Sequence, residues 1–298
     1  MELWLLYAIG AAAFAALTTI LAKIGIRDVD SHLATAVRTM VVLVFAWIMV
    51  FIVGAQSGIF YISGRTWVFL ILSGLATGGS WLCFFRALQL GDVNKVVPID
   101  KSSTILTMIL AFIFLREPVG IITVIGMILM GIGTWLMLES RSGFLPTRPW
   151  WEYRLEPFKT GWLFYALLAA VFASLVAIFG KIGVVDIDAS LWTAIRTVVV
   201  VPLSWTMVFL TGSHKKISSV KRISWVFLML SGVATGASWL FFYHALQIGN
   251  ASHVVPIDKL SIVLTMGFAW LFLREKFSKR SVAGLGLLTI GTLLPIIL

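Results

Sequence analysis

The sequence Val-Val-Pro-Ile-Asp-Lys occurs twice in this chain, at 96–101 and again at 254–259, each time inside a long apolar run. Ionised side chains are costly in lipid, so an acid and a base in such a run indicate either a structural partner or a functional role. A carboxylate at this depth can take up and release a proton, and Asp100 and Asp258 are the candidates for proton coupling. The ammonium groups beside them can attract an anion.

Two arginines are predicted at the same depth as these pairs. Counted along the helix axis, Arg38 in the second predicted helix and Asp100 and Lys101 in the fourth lie about 10 Å from the same end. We therefore expect Arg38 to meet Asp100 and Lys101, with Lys23 nearby. The repeat predicts a second cluster at the opposite end, formed by Arg196, Asp258, Lys259 and Lys181. Basic groups outnumber acidic ones, which favours a solute with an anionic group.

Two interpretations of these clusters stay open. In the first, each cluster lines one end of a central cavity and forms or breaks as a gate during binding and transport. In the second, each is an ion-pair cluster that holds the second and fourth helices together without contacting a solute. Neighbouring residues on a helix point about 100° apart, so the Asp and Lys of a pair do not both face one partner. This geometry favours the first interpretation.

Proline, serine and tryptophan residues near the charges are further candidates. Pro98 and Pro256 lie about five residues into their helices, where proline kinks a helix and can form a hinge. If the helices begin later, each proline simply marks a first turn. The third predicted helix of each half carries candidate cavity-lining residues, namely Ser80, Trp81, Ser238 and Trp239. A hydroxyl bonded to its own helix is the alternative for the serines.

Glycines at helical spacing predict close contacts between helices. Gly74 and Gly78 form such a face in the third predicted helix and recur as Gly232 and Gly236. A second set is expected to pack between the two halves of the chain and consists of Gly126, Gly133, Gly284 and Gly291.

The composition is typical of a polytopic membrane protein, with 60% hydrophobic and only 12% charged residues among 298. Runs long enough to cross a bilayer, roughly 20 residues each, occur ten times. The predicted fold class is therefore an all-α polytopic membrane protein with ten transmembrane helices. They are predicted near 3–24, 32–54, 66–87, 93–115, 119–138, 162–182, 190–211, 224–246, 251–273 and 280–298.

The second five predicted helices repeat the first five at a constant offset of 158 residues, and roughly half of the aligned positions are identical. This predicts two five-helix units, 1–140 and 161–298, joined by a linker at 141–160 that rests on the cytoplasmic membrane surface. Because each unit has an odd number of helices, the second must cross the membrane in the opposite sense. Such inverted repeats are typical of secondary transporters.

The loop charges predict the orientation. If the N-terminus lies outside, the cytoplasmic loops hold sixteen Lys and Arg residues, and the outer loops hold only Arg65, Arg116 and Lys181. This distribution follows the positive-inside rule. Arg27 becomes Val185 in the second unit, as expected for a unit that has been turned over. We predict that both termini lie outside an inner (plasma) membrane.

Other functional classes fit the sequence less well. The net charge of +10 resides in short loops and not on one soluble face, which argues against nucleic-acid binding. One cysteine, Cys83, and four scattered histidines offer no metal site and no catalytic constellation, so neither an enzyme nor a bound cofactor is expected. The sequence contains no Walker motif, so ATP is not expected to drive the protein directly.

Both units resemble a known family. Each carries Ser-Gly-x-Ala-Thr-Gly-x-Ser-Trp-Leu, at 73–82 and 231–240, and a closing Phe-Leu-Arg-Glu, at 114–117 and 272–275. Together with Val-Val-Pro-Ile-Asp-Lys and the duplication, these motifs are similar to EamA-type members of the drug/metabolite transporter superfamily. The resemblance implies a carrier with a central cavity and alternating access, and single-repeat relatives that pair as antiparallel dimers. The Arg-Glu pairs themselves are expected to be surface pairs of little energetic weight.

We therefore expect a secondary transporter that moves a small metabolite, with an amino acid or another solute carrying an anionic group favoured. Proton coupling is a further hypothesis. A lipid flippase or scramblase, or a membrane assembly subunit that does not transport, is the alternative. The expected partners are the small-molecule metabolite and the lipid bilayer, and both a monomer and a homodimer stay open.

Overall fold

The computed structural model describes residues 3–116, 120–138, 161–183, 187–248, 257 and 260–297. Within these ranges the regular structure is entirely helical, and no β-strand occurs. Helices suit a bilayer because they bond their backbone polar groups within one segment. The helices of the first repeat are α1 (Leu3–Gly25), α2 (Ser31–Val53), α3 (Gly64–Leu90), α4 (Val93–Lys101), α5 (Ser103–Leu115) and α6 (Ile121–Leu138). Those of the second are α7 (Trp162–Gly183), α8 (Ala189–Leu210), α9 (Arg222–Ile248), α10 (Ser261–Leu273) and α11 (Lys279–Ile297).

The apolar helices agree with the predicted membrane spans. In the described part of the chain, eight segments are long and apolar enough to cross a bilayer, with α4 and α5 together forming one of them. The ninth predicted run, 251–273, lies partly outside the described residues, and its described helix, α10, has 13 residues. The predicted all-α membrane fold is confirmed, whereas the count of ten spans stays a prediction.

Equivalent residues begin and end the second helix of each repeat. Asp30 accepts hydrogen bonds from the backbone N–H groups two and three residues ahead, at 3.0 and 3.4 Å. Asp188 does the same at 2.8 and 3.2 Å. Gly54 and Gly212 follow these helices with φ of 74° and 70°, a conformation that glycine adopts without strain. The duplicated sequence therefore specifies duplicated helix boundaries.

The two repeats interlock and do not stand side by side. Helix α1 packs along α9 of the other repeat, and the equivalent helices α7 and α3 form the matching pair. Helix α2 packs on its own counterpart α8, and α6 packs on its counterpart α11. The largest cluster of buried apolar side chains accordingly draws on both repeats, with Ile20, Phe85, Leu228 and Met266 among its members. The core is shared between the repeats.

Helices α6 and α11 cross in opposite directions, at the glycines predicted to pack between the halves. A Cβ atom on Gly126 would lie 2.8 Å from the carbonyl oxygen of Gly291, and one on Gly133 would lie 2.6 Å from that of Gly284. The earlier glycine of α6 therefore faces the later glycine of α11. Because these helices are equivalent in the two repeats, their antiparallel contact confirms that the repeats are inverted.

Candidate functional site

Arg38 is the one fully buried charged side chain among the residues that the structure describes, with 2% of its surface exposed. It is the eighth residue of α2 and lies where that helix packs on α9. A Cβ atom on Gly232 of α9 would lie 3.2 Å from the Arg38 carbonyl oxygen. The absence of a side chain at Gly232 allows the two helices to approach closely. The guanidinium can therefore reach the hydroxyl groups of α9.

Two hydroxyl groups of α9 hold the guanidinium. Nε donates to Oγ of Ser231 at 2.8 Å, and Nη2 donates to Oγ1 of Thr235 at 3.1 Å. Ser231 donates to the Thr18 carbonyl oxygen of α1 at 2.7 Å, and the Thr18 and Thr235 hydroxyl oxygens lie 3.2 Å apart. The ring centroid of Phe85 in α3 lies 4.1 Å from the guanidinium carbon, which is a cation–π contact. Four helices from both repeats therefore meet at Arg38.

No acidic side chain among the described residues neutralises this charge. The Nη1 atom of Arg38 is buried and makes no hydrogen bond to a described residue. Burying a guanidinium whose partners are two hydroxyl groups and an aromatic ring is costly, and apolar residues would avoid that cost. Such a group is better explained by function than by stability.

The expected contact of Arg38 with Asp100 and Lys101 is not formed. Helix α2 packs on α8 and α9, whereas α4 packs mainly on α7. Arg38 therefore faces α9 and donates its hydrogen bonds to the hydroxyl groups of that helix. Asp100 and Lys101 are half-buried in the last turn of α4. The sequence predicts depth along each helix, but it does not predict which helix the side chain faces.

The equivalent arginine of the second repeat, Arg196, has different surroundings. It is half-buried. Ser73, the counterpart of Ser231, has a buried hydroxyl that makes no hydrogen bond to a described residue, so the serine bond of Arg38 is not repeated. The backbone contact is repeated, because a Cβ atom on Gly74 would lie 3.1 Å from the Arg196 carbonyl oxygen.

Three further predicted site residues lie outside the described residues, namely Pro256, Asp258 and Lys259.

Ser80 and Ser238 bond to neighbouring helices. The Ser80 hydroxyl donates to the carbonyl oxygen of Ala169 in α7 at 3.1 Å, and that of Ser238 donates to Ala11 in α1 at 2.9 Å. Both serines therefore join the repeats and do not bond to their own helices. Their neighbours in sequence, Trp81 and Trp239, are half-buried and pack against apolar core clusters.

The fourth predicted span is broken close to Pro98. Helix α4 begins at Val93, so Pro98 is its sixth residue and does not lie in the first turn. The Pro98 carbonyl oxygen accepts the N–H group of Ser102 at 3.0 Å, and Ser102 separates α4 from α5 with φ −66° and ψ −12°. Leu260, which precedes α10, has nearly the same angles, −64° and −10°. The residue before the second of these half-helices therefore has the same backbone conformation in both repeats, and the hinge stays a prediction.

Glu275, which follows α10 in the second repeat, caps α4 in the first. Its two carboxylate oxygens accept the backbone N–H groups of Val93 at 2.8 Å and Asn94 at 2.9 Å. Burial raises the pKa of Glu275, and these two bonds oppose that shift. The expectation of a surface Arg-Glu pair of little weight is wrong for Glu275, because its partner is the N-terminus of a helix in the other repeat.

The backbone at Arg274 makes this contact possible. Arg274 has φ 56°, and its counterpart Arg116 has φ 54°, values that are uncommon outside glycine. The chain turns back here, and the N–H group of Glu275 donates to the carbonyl oxygen of Ala269 at 3.2 Å. The Arg-Glu motif at both helix ends was the available signal, but the sequence does not reveal a partner across the interface. Glu117 lies outside the described residues.

A cleft of about 520 Å³ opens beside the Glu275 contact. The ends of α1 and α3 line it, and Lys23, which was expected near Arg38, lies in its wall. Its ammonium donates to the carbonyl oxygens of Leu88 and Gly91 at 2.5 Å each. Lys23 therefore caps the C-terminus of α3. The other charged residues that line the cleft are Arg27, Asp92 and Glu275.

Known proteins share this architecture. The model of the EamA-like transporter family matches the chain twice, at residues 2–139 and 160–297. A Sinorhizobium protein described as an "uncharacterized transporter in cobO 3′ region" is 46% identical over 133 residues, which make up 45% of this chain and 94% of that protein. An uncharacterized protein of Methanocaldococcus jannaschii is 27% identical over 128 residues, 43% of this chain and 90% of that protein. Each relative thus corresponds in length to about one repeat.

Two further matches cover more of the chain. An "uncharacterized transporter" of Archaeoglobus fulgidus is 24% identical over 213 residues, which make up 72% of this chain and 69% of that protein. A solved crystal structure superposes with a TM-score of 0.67 over 96% of this chain and 94% of its own, at 17% sequence identity. At that identity the similarity concerns the fold alone.

Proposed function

Because the chain belongs to the EamA-like transporter family, we propose that it is a secondary transporter that moves a small metabolite with an anionic group across the inner membrane. Amino acids are the favoured solutes. The inverted repeats open a central cavity to one side of the membrane at a time. Both termini lie outside, in agreement with the basic loops.

The observation that carries this proposal is the guanidinium of Arg38. It is buried between the repeats, bonds to hydroxyl groups and to no acidic side chain among the described residues, and its Nη1 atom makes no hydrogen bond to them. A carboxylate or phosphate supplies the missing acceptor and forms short, charge-assisted bonds with guanidinium. Ser231 and Thr235 already orient the group, which reduces the entropy lost on binding.

The remaining predicted site residues act around this binding step. Asp100 and Asp258 take up and release the coupling proton. Lys101, Lys259 and Arg196 provide positive charge along the path of the anion. Pro98 and Pro256 mark the hinges about which the half-helices move.

A thermal-shift screen of the purified chain tests the binding step. The panel contains amino acids, other carboxylates and phosphates, each paired with a neutral analogue such as the amide. We expect an anionic compound to raise the apparent melting temperature by mass action and its neutral analogue to have no effect. Arg38→Ala should lose the shift. The matched control is Arg65→Ala, which removes an exposed arginine at the start of α3.

The outcomes separate the candidate functions. Two results contradict the role of Arg38 in binding. In one, an anion still raises the melting temperature of Arg38→Ala; in the other, no anion raises that of the wild type. Uptake into liposomes by Asp100→Asn with unchanged dependence on an imposed proton gradient contradicts the coupling role. Scrambling of labelled lipids by the wild type without solute uptake identifies a flippase or scramblase.

A further inference from the structure

We propose that Glu275 is a gating residue, which locks the N-terminus of α4 in the first repeat to the second repeat and limits the opening of the cleft beside it. The inference rests on the proposed alternating-access transport, because a gate has meaning only where a cavity opens and closes. Its basis is the pair of bonds from the Val93 and Asn94 N–H groups to the Glu275 carboxylate.

The way in which α4 is capped shows that this contact is specific. Asp92 occupies the N-cap position of α4 and is a residue type that usually caps its own helix. Its side chain makes no capping bond here and lies 3.6 Å from the ammonium of Lys95. The N–H groups of α4 are thereby left for Glu275, whose negative charge also interacts favourably with the helix N-terminus. A purely local cap would have needed no partner from the other repeat.

The two partners are built so that they can separate. Helix α4 has only nine residues, and one residue, Ser102, separates it from α5. It can therefore move as a short rigid segment. Glu275 lies beyond the end of α10, after the left-handed residue Arg274. A second bond, from the Asn94 side chain to the Lys276 carbonyl oxygen at 3.4 Å, joins the same two segments. Release of these contacts frees α4 from the second repeat.

The cleft lies where such a movement would open the molecule. Glu275 and Asp92 form part of its wall, and Lys23 and Arg27 line it from the end of α1. Lys23 and Asp92 are also the charged groups that act on the Glu275 carboxylate. Separation of α4 from Glu275 removes one wall and widens the cleft toward the interface between the repeats.

The gate is tested by cysteine accessibility. Cys83→Ala removes the only thiol of the chain, and a single cysteine is placed at Ile24, a half-buried residue of the cleft. In nanodiscs both membrane faces contact solvent, so the rate of reaction with a water-soluble maleimide reports the opening. We expect Glu275→Gln to react about tenfold faster, because hydrogen bonds to a charged group are the stronger ones. Asp28→Asn, which removes an exposed carboxylate paired with Lys221 at 2.8 Å, should react at the parent rate.

A crosslink provides the second test and leaves Glu275 in place. Cysteines at Asn94 and Lys276, joined by a short bifunctional thiol reagent that a reductant cleaves, should block solute uptake in the Cys83→Ala background, and cleavage should restore it. Equal maleimide rates for the parent and Glu275→Gln overturn the gate, and so does full uptake by the crosslinked chain. If Glu275→Gln does not fold, the crosslink decides. Faster labelling of Glu275→Gln in a chain without solute uptake overturns the transport proposal instead.

Discussion

Arg38 and Arg196 occupy the same position in the two repeats, yet their surroundings differ. Arg38 is buried and bonded to Ser231 and Thr235, whereas Arg196 is half-buried and leaves the hydroxyl of Ser73 without a hydrogen bond to a described residue. The contact between α6 and α11 is symmetric by comparison. Its four glycines, which we call the glycine seam, would place a Cβ atom 2.6 to 2.8 Å from the carbonyl oxygen of the facing glycine in both directions. They are Gly126, Gly133, Gly284 and Gly291. The repeats therefore share one symmetric framework, and they differ in the surroundings of their equivalent arginine side chains.

This asymmetry has a functional meaning under the proposed mechanism. Two inverted repeats that alternate between states are equivalent only on average, because in each state one end is closed and the other is open. Identical arginines in different surroundings are what such a state requires. One sequence difference adds to it, since Thr18 beside the Arg38 site is replaced by Val176 in the second repeat.

The largest expected effect tests the symmetric seam. A Cβ atom in Gly133→Ala or Gly284→Ala would meet a backbone carbonyl oxygen at 2.6 Å, and backbone cannot turn aside as a side chain can. We expect each substitution to lower the free energy of unfolding by about 3 kcal/mol, measured by denaturant titration in detergent. The controls are Gly131→Ala and Gly286→Ala on the same helices, where no atom lies closer than 4.0 Å. Unequal effects of Gly133→Ala and Gly284→Ala would show that the contact between α6 and α11 is not symmetric.

The framework was largely predictable from the sequence. The offset of 158 residues and the odd number of apolar runs per unit predict inverted repeats, and the glycine spacing predicts the seam. The interlocking was not predictable, because hydropathy assigns residues to helices without saying which helix packs on which. The pairing of α1 with α9 and of α3 with α7 depends on contacts between residues far apart in the chain.

Replacing each arginine with methionine measures how far the two positions differ. Arg38→Met replaces a buried, incompletely bonded charge with an apolar side chain of similar length. We expect it to raise the free energy of unfolding by about 2 kcal/mol and to abolish the thermal shift given by the anionic solute. Arg196→Met should change stability much less, because that side chain is half-buried. A loss of stability in Arg38→Met would show that the guanidinium is structural.

The candidate site was predictable only in part. The depth of Arg38 follows from its place in an apolar run, and this marks it as a functional candidate. Its partners do not follow, because Ser231 and Thr235 lie in the other repeat, and the sequence does not show which helix faces Arg38. The same reason explains Glu275, whose partner is a pair of backbone N–H groups with no signature in the sequence.

The exchange of Thr18 and Val176 has the smallest expected effect. It distinguishes two causes of the different surroundings of Arg38 and Arg196, namely the sequence and the conformational state. Thr18→Val gives the first repeat the residue of the second and removes the hydroxyl that lies 3.2 Å from that of Thr235. We expect the free energy of unfolding, measured by denaturant titration, to fall by about 1 kcal/mol. The rise in melting temperature given by the solute should be smaller, because Thr235 is less firmly held. Val176→Thr is the matched exchange and should have little effect on the solute shift. If Thr18→Val changes neither quantity, the two surroundings differ because of the state that the chain occupies, and opening the opposite end should then exchange the roles of Arg38 and Arg196.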